Sequence, residues 1–140
     1  MGGQSPSYKI LFVCIENSNR SQMAEAFARI HGSDELVPYS AGSRPGGTVN
    51  ARAIAAMREI GYELGTHRSK ALLEVPDVEY DWLVTMGCGD ECPFVRSRHR
   101  VDWEIPDPKS MEADAFREVR DLIEQKVRKL LDRLSNSSQG

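Results

Sequence analysis

Cys14 stands at the end of the apolar run Lys9-Ile10-Leu11-Phe12-Val13, and Arg20 and Ser21 follow it across the polar stretch Ile15-Glu16-Asn17-Ser18-Asn19. A cysteine one short loop before an arginine is equipped to attack an oxyanion, because positive potential there favours the thiolate. Arginine also offers a flat two-pronged donor that lysine does not match. Backbone N–H groups of residues 15–20 can join it in cradling the anion. Two further cysteines, Cys88 and Cys92, lie late in the chain with three residues between them. An odd number of cysteines fits poorly with a secreted disulfide framework, so reduced, reactive thiols are the better reading. One Cys-x3-Cys with only His99 nearby lacks the ligands of a structural zinc site, and no metal or other cofactor is expected. Asp107, in Pro106-Asp107-Pro108, is a candidate proton donor in a setting where Asp before Pro is also ordinary turn chemistry.

These groups need a scaffold that brings them to one place. Tyr8 to Val13 reads as a strand and Ser21 to Ile30 as a helix, with Met23, Phe27 and Ile30 on one face. A strand that delivers a loop to a helix N-terminus is a ready anion site. Leu36 to Ala41 reads as a second strand. Asn50 caps a second helix whose face is Ile54, Met57 and Ile60 and which Gly61 ends. Ser69 to Leu73 starts a short helix closed by Pro76. Tyr80 to Met86 and Arg98 to Trp103 read as the third and fourth strands. Phe116, Val119, Ile123, Val127, Leu130, Leu131 and Leu134 repeat at helical spacing and predict a long covering helix. Alternating strands and helices predict an α/β fold, a four-stranded parallel sheet with helices on both faces. In such sheets ligands bind beyond the C-terminal strand ends, where Cys14, Cys88 and Asp107 all fall.

Cys-x5-Arg-Ser after a first strand, followed by Gln22-Met23-Ala24-Glu25-Ala26-Phe27, resembles the signature loop of the low-molecular-weight protein tyrosine phosphatase superfamily. The segment Val84-Thr85-Met86-Gly87-Cys88-Gly89-Asp90-Glu91-Cys92-Pro93 is similar to the redox segment of its thiol-coupled arsenate reductases. The resemblance covers Lys9 to about Leu134. It implies that Cys14 is the nucleophile, Ser21 its hydrogen-bond partner and Asp107 the general acid. It further implies that Asn17, Ser40 and His67 brace the loop; His67 taken alone would read as a surface histidine. For the second cysteine pair it implies a relay in which Cys88 attacks the Cys14 sulfur and Cys92 resolves the bond.

The function so implied is reduction of arsenate to arsenite, with a thioredoxin-like protein or a small thiol as reductant. The alternative is hydrolysis of phosphate monoesters through a Cys14 phosphoenzyme. Phosphatases of this family carry aromatic residues after the Asp-Pro, whereas here Lys109-Ser110 follow Pro108. Glu16 replaces a loop glycine and Asn19 a second loop cysteine. An anionic Glu16 would repel a dianion, so its side chain is expected to turn away from the cradle. The family's potassium-type site would involve Asn17, Glu25 and Ser40, but Arg68 and Lys70 stand where neutral and acidic ligands belong, so a side-chain cation is expected in its place.

The 140 residues suit one domain, here residues 8–134, with flexible termini at 1–7 and 135–140. A net charge of −3 gives no basic footprint for nucleic acid. No apolar run is long enough for a membrane span or a signal segment, so a cytoplasmic monomer is expected.

Overall fold

The structure, a computed structural model, describes residues 8–87 and 94–139, with side chains described as far as Leu134. Cys88 and Cys92 lie outside the described residues. Four parallel strands, β1 (Tyr8–Cys14), β2 (Leu36–Gly42), β3 (Tyr80–Thr85) and β4 (Ser97–Asp102), form one sheet in the order β2-β1-β3-β4. The chain leaves β1 for β2 on one side and later returns to β3 on the other. The C-terminal end of β1 is therefore the point where strand order reverses, the place where open α/β sheets bind ligands. Cys14 is its last residue.

Central position explains the composition of β1. Ile10, Leu11, Phe12 and Val13 are all fully buried, as a parallel strand covered on both faces requires. Ile10, Phe12 and Cys14 face a core built with α1 (Arg20–His31), α2 (Ala51–Arg58) and α3 (Ala113–Gln139), including Phe27, Met57, Phe116 and Ile123. Leu11 and Val13 face the opposite core with Ala41, Tyr80 and Leu83, where the described cover is Leu72, Val75, Val78 and Val95. α1 packs against α3, β2 and β1.

Several boundaries differ from the sequence reading. The short helix expected from Ser69 is a 3-10 turn at Leu72–Glu74, because the preceding Lys70 and Ala71 are taken up by the sheet edge: Gly42 N–H donates to Lys70 O at 2.8 Å. α2 ends at Arg58, and Gly61 at φ 87° turns the chain, so Ile60 leaves the helical face and is 44% exposed. The backbone of α3 continues past Leu134 to Gln139. No described helix is long and apolar enough to cross a membrane.

Candidate active site

The loop between β1 and α1 is shaped by where its carbonyls go. Cys14 O accepts from Ser43 N (3.1 Å), Ile15 O from Arg44 N (2.8 Å), Glu16 O from Gly46 N (3.0 Å) and Ser18 O from Asn50 N (3.1 Å). Asn17 O accepts from Gln22 Nε2 at 3.1 Å, and Ser69 Oγ adds a second donor to Glu16 O at 2.8 Å. Every carbonyl from 14 to 18 is thus bonded away from the loop centre. In a planar trans peptide the next N–H points the opposite way, so the N–H groups of residues 15–19 converge inward. Asn17 makes the bend at φ 53°, a left-handed conformation asparagine tolerates. Gly42 lets the loop lie close on β2: a Cβ there would sit 2.6 Å from Ile15 O.

α1 begins at Arg20 and its N-cap residue, Asn19, makes no side-chain cap; Asn19 Oδ1 is buried without a hydrogen-bond partner. The first N–H groups of the helix are left for a ligand, and the helix dipole adds positive potential at the same spot. The resulting pocket of about 50 Å³ is lined by Cys14, residues of the loop through Arg20, and Asp107. A pocket this small suits a free oxyanion rather than a large organic ligand.

Cys14 is buried and lies 2.8 Å from Ser21 Oγ. Behind this contact runs a continuous hydrogen-bonded chain. Asn17 Nδ2 donates to Ser21 Oγ (2.7 Å), and Gln22 Nε2 donates to Asn17 Oδ1 (2.8 Å). Gln22 Oε1 meets His67 Nδ1 (2.9 Å), and His67 Nε2 meets Tyr62 Oη (2.7 Å). Burial lowers the His67 pKa, with Glu25 opposing, and burial raises that of Tyr62. A neutral imidazole that donates through Nδ1 to Gln22 and accepts the Tyr62 hydroxyl at Nε2 satisfies both directions. His67 therefore reaches the loop through Gln22, a residue the sequence reading did not single out. Its signal was available: an amide next to Ser21, on the first turn of the helix that follows the loop.

The third expected brace, Ser40, acts one layer further back. Its hydroxyl donates to Glu25 Oε1 at 2.5 Å, and Arg29 Nε donates to Glu25 Oε2 at 3.0 Å. The Lys70 ammonium lies 3.8 Å from Glu25 and donates to Ser40 Oγ (3.4 Å) and Arg68 O (3.1 Å). Lys70 N–H also donates to Asn17 Oδ1 at 2.8 Å. Lys70 thus meets all three residues named for the expected cation site, its ammonium reaching Glu25 and Ser40 and its backbone N–H reaching Asn17.

Arg20 and Asp107 come together from opposite ends of the chain. Arg20 Nη1 donates to Ile105 O at 3.1 Å and Nη2 lies 3.7 Å from Asp107 Oδ2. Lys109 N–H donates to Asp107 Oδ1 at 3.1 Å, the turn chemistry expected of Asp before Pro. The Glu16 carboxylate is taken up by Lys109 Nζ at 2.9 Å. Gly87, the residue bonded to Cys88, packs against Arg20 at φ 79°; a Cβ there would lie 3.3 Å from Arg20 Cζ and closer still to Nη1.

Two expected outcomes follow from these contacts. Gly87→Ala should raise the KM for an oxyanion substrate about tenfold or more. Arg20 Nη1, the atom such a Cβ would meet, is also the donor to Ile105 O, so it moves aside only by giving up a charge-assisted bond worth about 1.5–3 kcal/mol; the steady-state KM against thermal midpoint of the variant checks it. His67 makes stability depend on pH. Its pKa is lowered in the fold below the ordinary 6.5, so the unfolded chain takes the proton first. The stability it contributes is complete above about 6.5 and falls as pH drops through the folded value. Denaturant titrations of His67→Gln should show a flatter slope between about pH 7 and 5 than the native protein, and an unchanged slope would remove His67 as the titrating group.

A thiol beside a helix N-terminus, with an arginine and a carboxylate lining the same small pocket at the end of a parallel α/β sheet, is an arrangement that can hold and attack a small oxyanion. The chain belongs to the low molecular weight phosphotyrosine protein phosphatase family, whose pattern it matches over residues 9–139. Among its relatives is a glutaredoxin arsenate reductase of Synechocystis, 33% identical over 91% of this chain and 98% of that protein. The fold is similar to that of an arsenate reductase solved in a phosphate-binding state, with TM-score 0.78, 30% identity, and 90% and 98% of the two chains covered. It is also similar to a thioredoxin-dependent arsenate reductase of Corynebacterium glutamicum, with TM-score 0.77, 28% identity, and 95% of this chain and 64% of that chain covered.

Proposed function

We propose that this protein reduces arsenate to arsenite through Cys14, Cys88 and Cys92, with an external thiol reductant. One observation carries the reading beyond hydrolysis: Gly87 packs on Arg20, and the sequence that follows Gly87 carries Cys88 and Cys92, two thiols that hydrolysis does not need.

In the proposed sequence the loop N–H groups and Arg20 bind arsenate, and the Cys14 thiolate attacks arsenic while one oxygen departs as water. Asp107 is the proton donor for that departure. The Cys88 thiolate then attacks Cys14 Sγ; a sulfur–sulfur bond forms, the sulfur–arsenic bond breaks, and its electron pair leaves with arsenic as arsenite. The Cys92 thiolate attacks Cys88 Sγ, forming Cys88–Cys92 and freeing Cys14, whose departing charge Ser21 Oγ stabilises. A dithiol reductant of the thioredoxin or glutaredoxin class, or a small thiol, reduces the Cys88–Cys92 disulfide.

Phosphate-monoester hydrolysis is the second reading, favoured by the family's name and by the shared Cys14 half of the chemistry. Arsenate-dependent NADPH oxidation separates the two. It is followed once with thioredoxin and its reductase and once with glutaredoxin, glutathione and its reductase, beside hydrolysis of an aryl phosphate. Arsenate turnover in at least one coupled assay is expected; aryl-phosphate hydrolysis with no arsenate turnover in either would overturn the reductase reading.

A further inference from the structure

The loop carrying Asp107 is tied to the oxyanion loop at three points. Two involve Arg20, through Ile105 O at 3.1 Å and Asp107 Oδ2 at 3.7 Å. The third is the Glu16–Lys109 pair at 2.9 Å, whose side chains are 39% and 57% exposed; Glu16 lines the pocket, and Lys109 lies outside the lining, bonded to Glu16 and, through its N–H, to the lining residue Asp107. Glu16 holds Lys109 above the ordinary lysine pKa by accepting its hydrogen bond. Lys109 has a second link inward, because its N–H also fixes Asp107 Oδ1. One residue thus joins the carboxylate on the anion loop to the carboxylate proposed as acid.

Each partner alone is out of place. A carboxylate on a loop of inward N–H groups repels the dianion those groups attract. A lysine held between two lining residues, Glu16 and Asp107, takes space beside the pocket that an organic substituent on the anion would need. Together they cancel in charge and close the side of a pocket whose volume is about 50 Å³.

We propose that Glu16 and Lys109 form a charge-balanced clasp across the mouth of the oxyanion pocket, and that this clasp sets the preference for free tetrahedral oxyanions over anions carrying an organic group. The inference rests on Cys14 marking an oxyanion site and not on which reaction follows. A free oxyanion lies beneath the closed pair. A monoester or phosphonate has to part it, since its substituent leaves through the same opening. Lys109 is a positioning residue here, acting through Glu16 and Asp107 rather than on the anion.

The test measures protection of Cys14 from alkylation by iodoacetamide, read on the Cys14 peptide by mass spectrometry, with inorganic phosphate and phenylphosphonate as the two probes. Lys109→Met should weaken phosphate protection about three- to fivefold, the ceiling for an exposed ion pair, because Glu16 is left uncompensated. Adding Glu16→Gln to it should recover most of that loss. In the double variant the ratio of phenylphosphonate to phosphate Kd should fall about threefold or more below the native ratio. A ratio that stays at the native value would overturn the clasp. Weak phosphate binding that persists in the double variant would also overturn it, making Lys109 a direct anion ligand. Failure of phosphate to protect native Cys14 at all would remove the oxyanion reading itself, an outcome separable from either.

Discussion

Cys14→Ser is expected to lose arsenate reduction and aryl-phosphate hydrolysis alike, each by more than a hundredfold, or about 2.7 kcal/mol of transition-state stabilisation. The loop N–H groups and Arg20 are untouched, so phosphate should still bind. What disappears is the polarisable nucleophile that stands 2.8 Å from Ser21 Oγ. A serine there presents a neutral hydroxyl, and no described base lies within hydrogen-bond distance of the position apart from Ser21 itself. Oxyanion turnover above about a hundredth of the native rate, in a variant confirmed by mass, would remove Cys14 as the attacking group.

Cys88→Ser and Cys92→Ser should instead divide the two activities. Reduction of arsenic takes two electrons, which a single thiolate cannot give up while returning to its starting state, so loss of either cysteine should stop repeated turnover with thioredoxin as sole reductant. Hydrolysis needs only Cys14, the anion cradle and a proton donor, and aryl-phosphate cleavage should persist in both variants. Cys88→Ser should release no arsenite, whereas Cys92→Ser should release one equivalent and stall as a Cys14–Cys88 disulfide visible by mass under non-reducing conditions. Sustained arsenate turnover by Cys88→Ser would overturn the internal relay in favour of an external thiol attacking Cys14 directly.

The residues of the anion loop were legible because they are contiguous. Cys14 to Ser21 is one strand end, one loop and one helix start, and each step is announced by local chemistry: an apolar run, a polar break, and helical spacing from Met23 to Phe27. The parallel sheet was legible for the same reason, as alternating segments leave few ways to bury both faces of a strand such as Ile10–Val13. The carriers of the loop's shape were not. Gln22, Ser69 and the backbone of residues 43–50 act by direction rather than by type, turning carbonyls outward so that N–H groups face in.

By itself, then, the sequence determined the order of strands and helices and the end of the sheet at which Cys14 and Arg20 lie together. Those depend on short-range patterns and on the period with which apolar residues recur. Tertiary structure decided what each polar group answers to. His67 reaches the loop through Gln22, and Ser40 through Glu25 and Lys70. Glu16 became tolerable beside an anion because Lys109, far along the chain, came within 2.9 Å of it. Gly87 acquired its constraint from Arg20 across the sheet edge. Such pairings rest on strand order and on crossovers that bring distant segments to one edge, and no local pattern in the chain records which side chain will be waiting there.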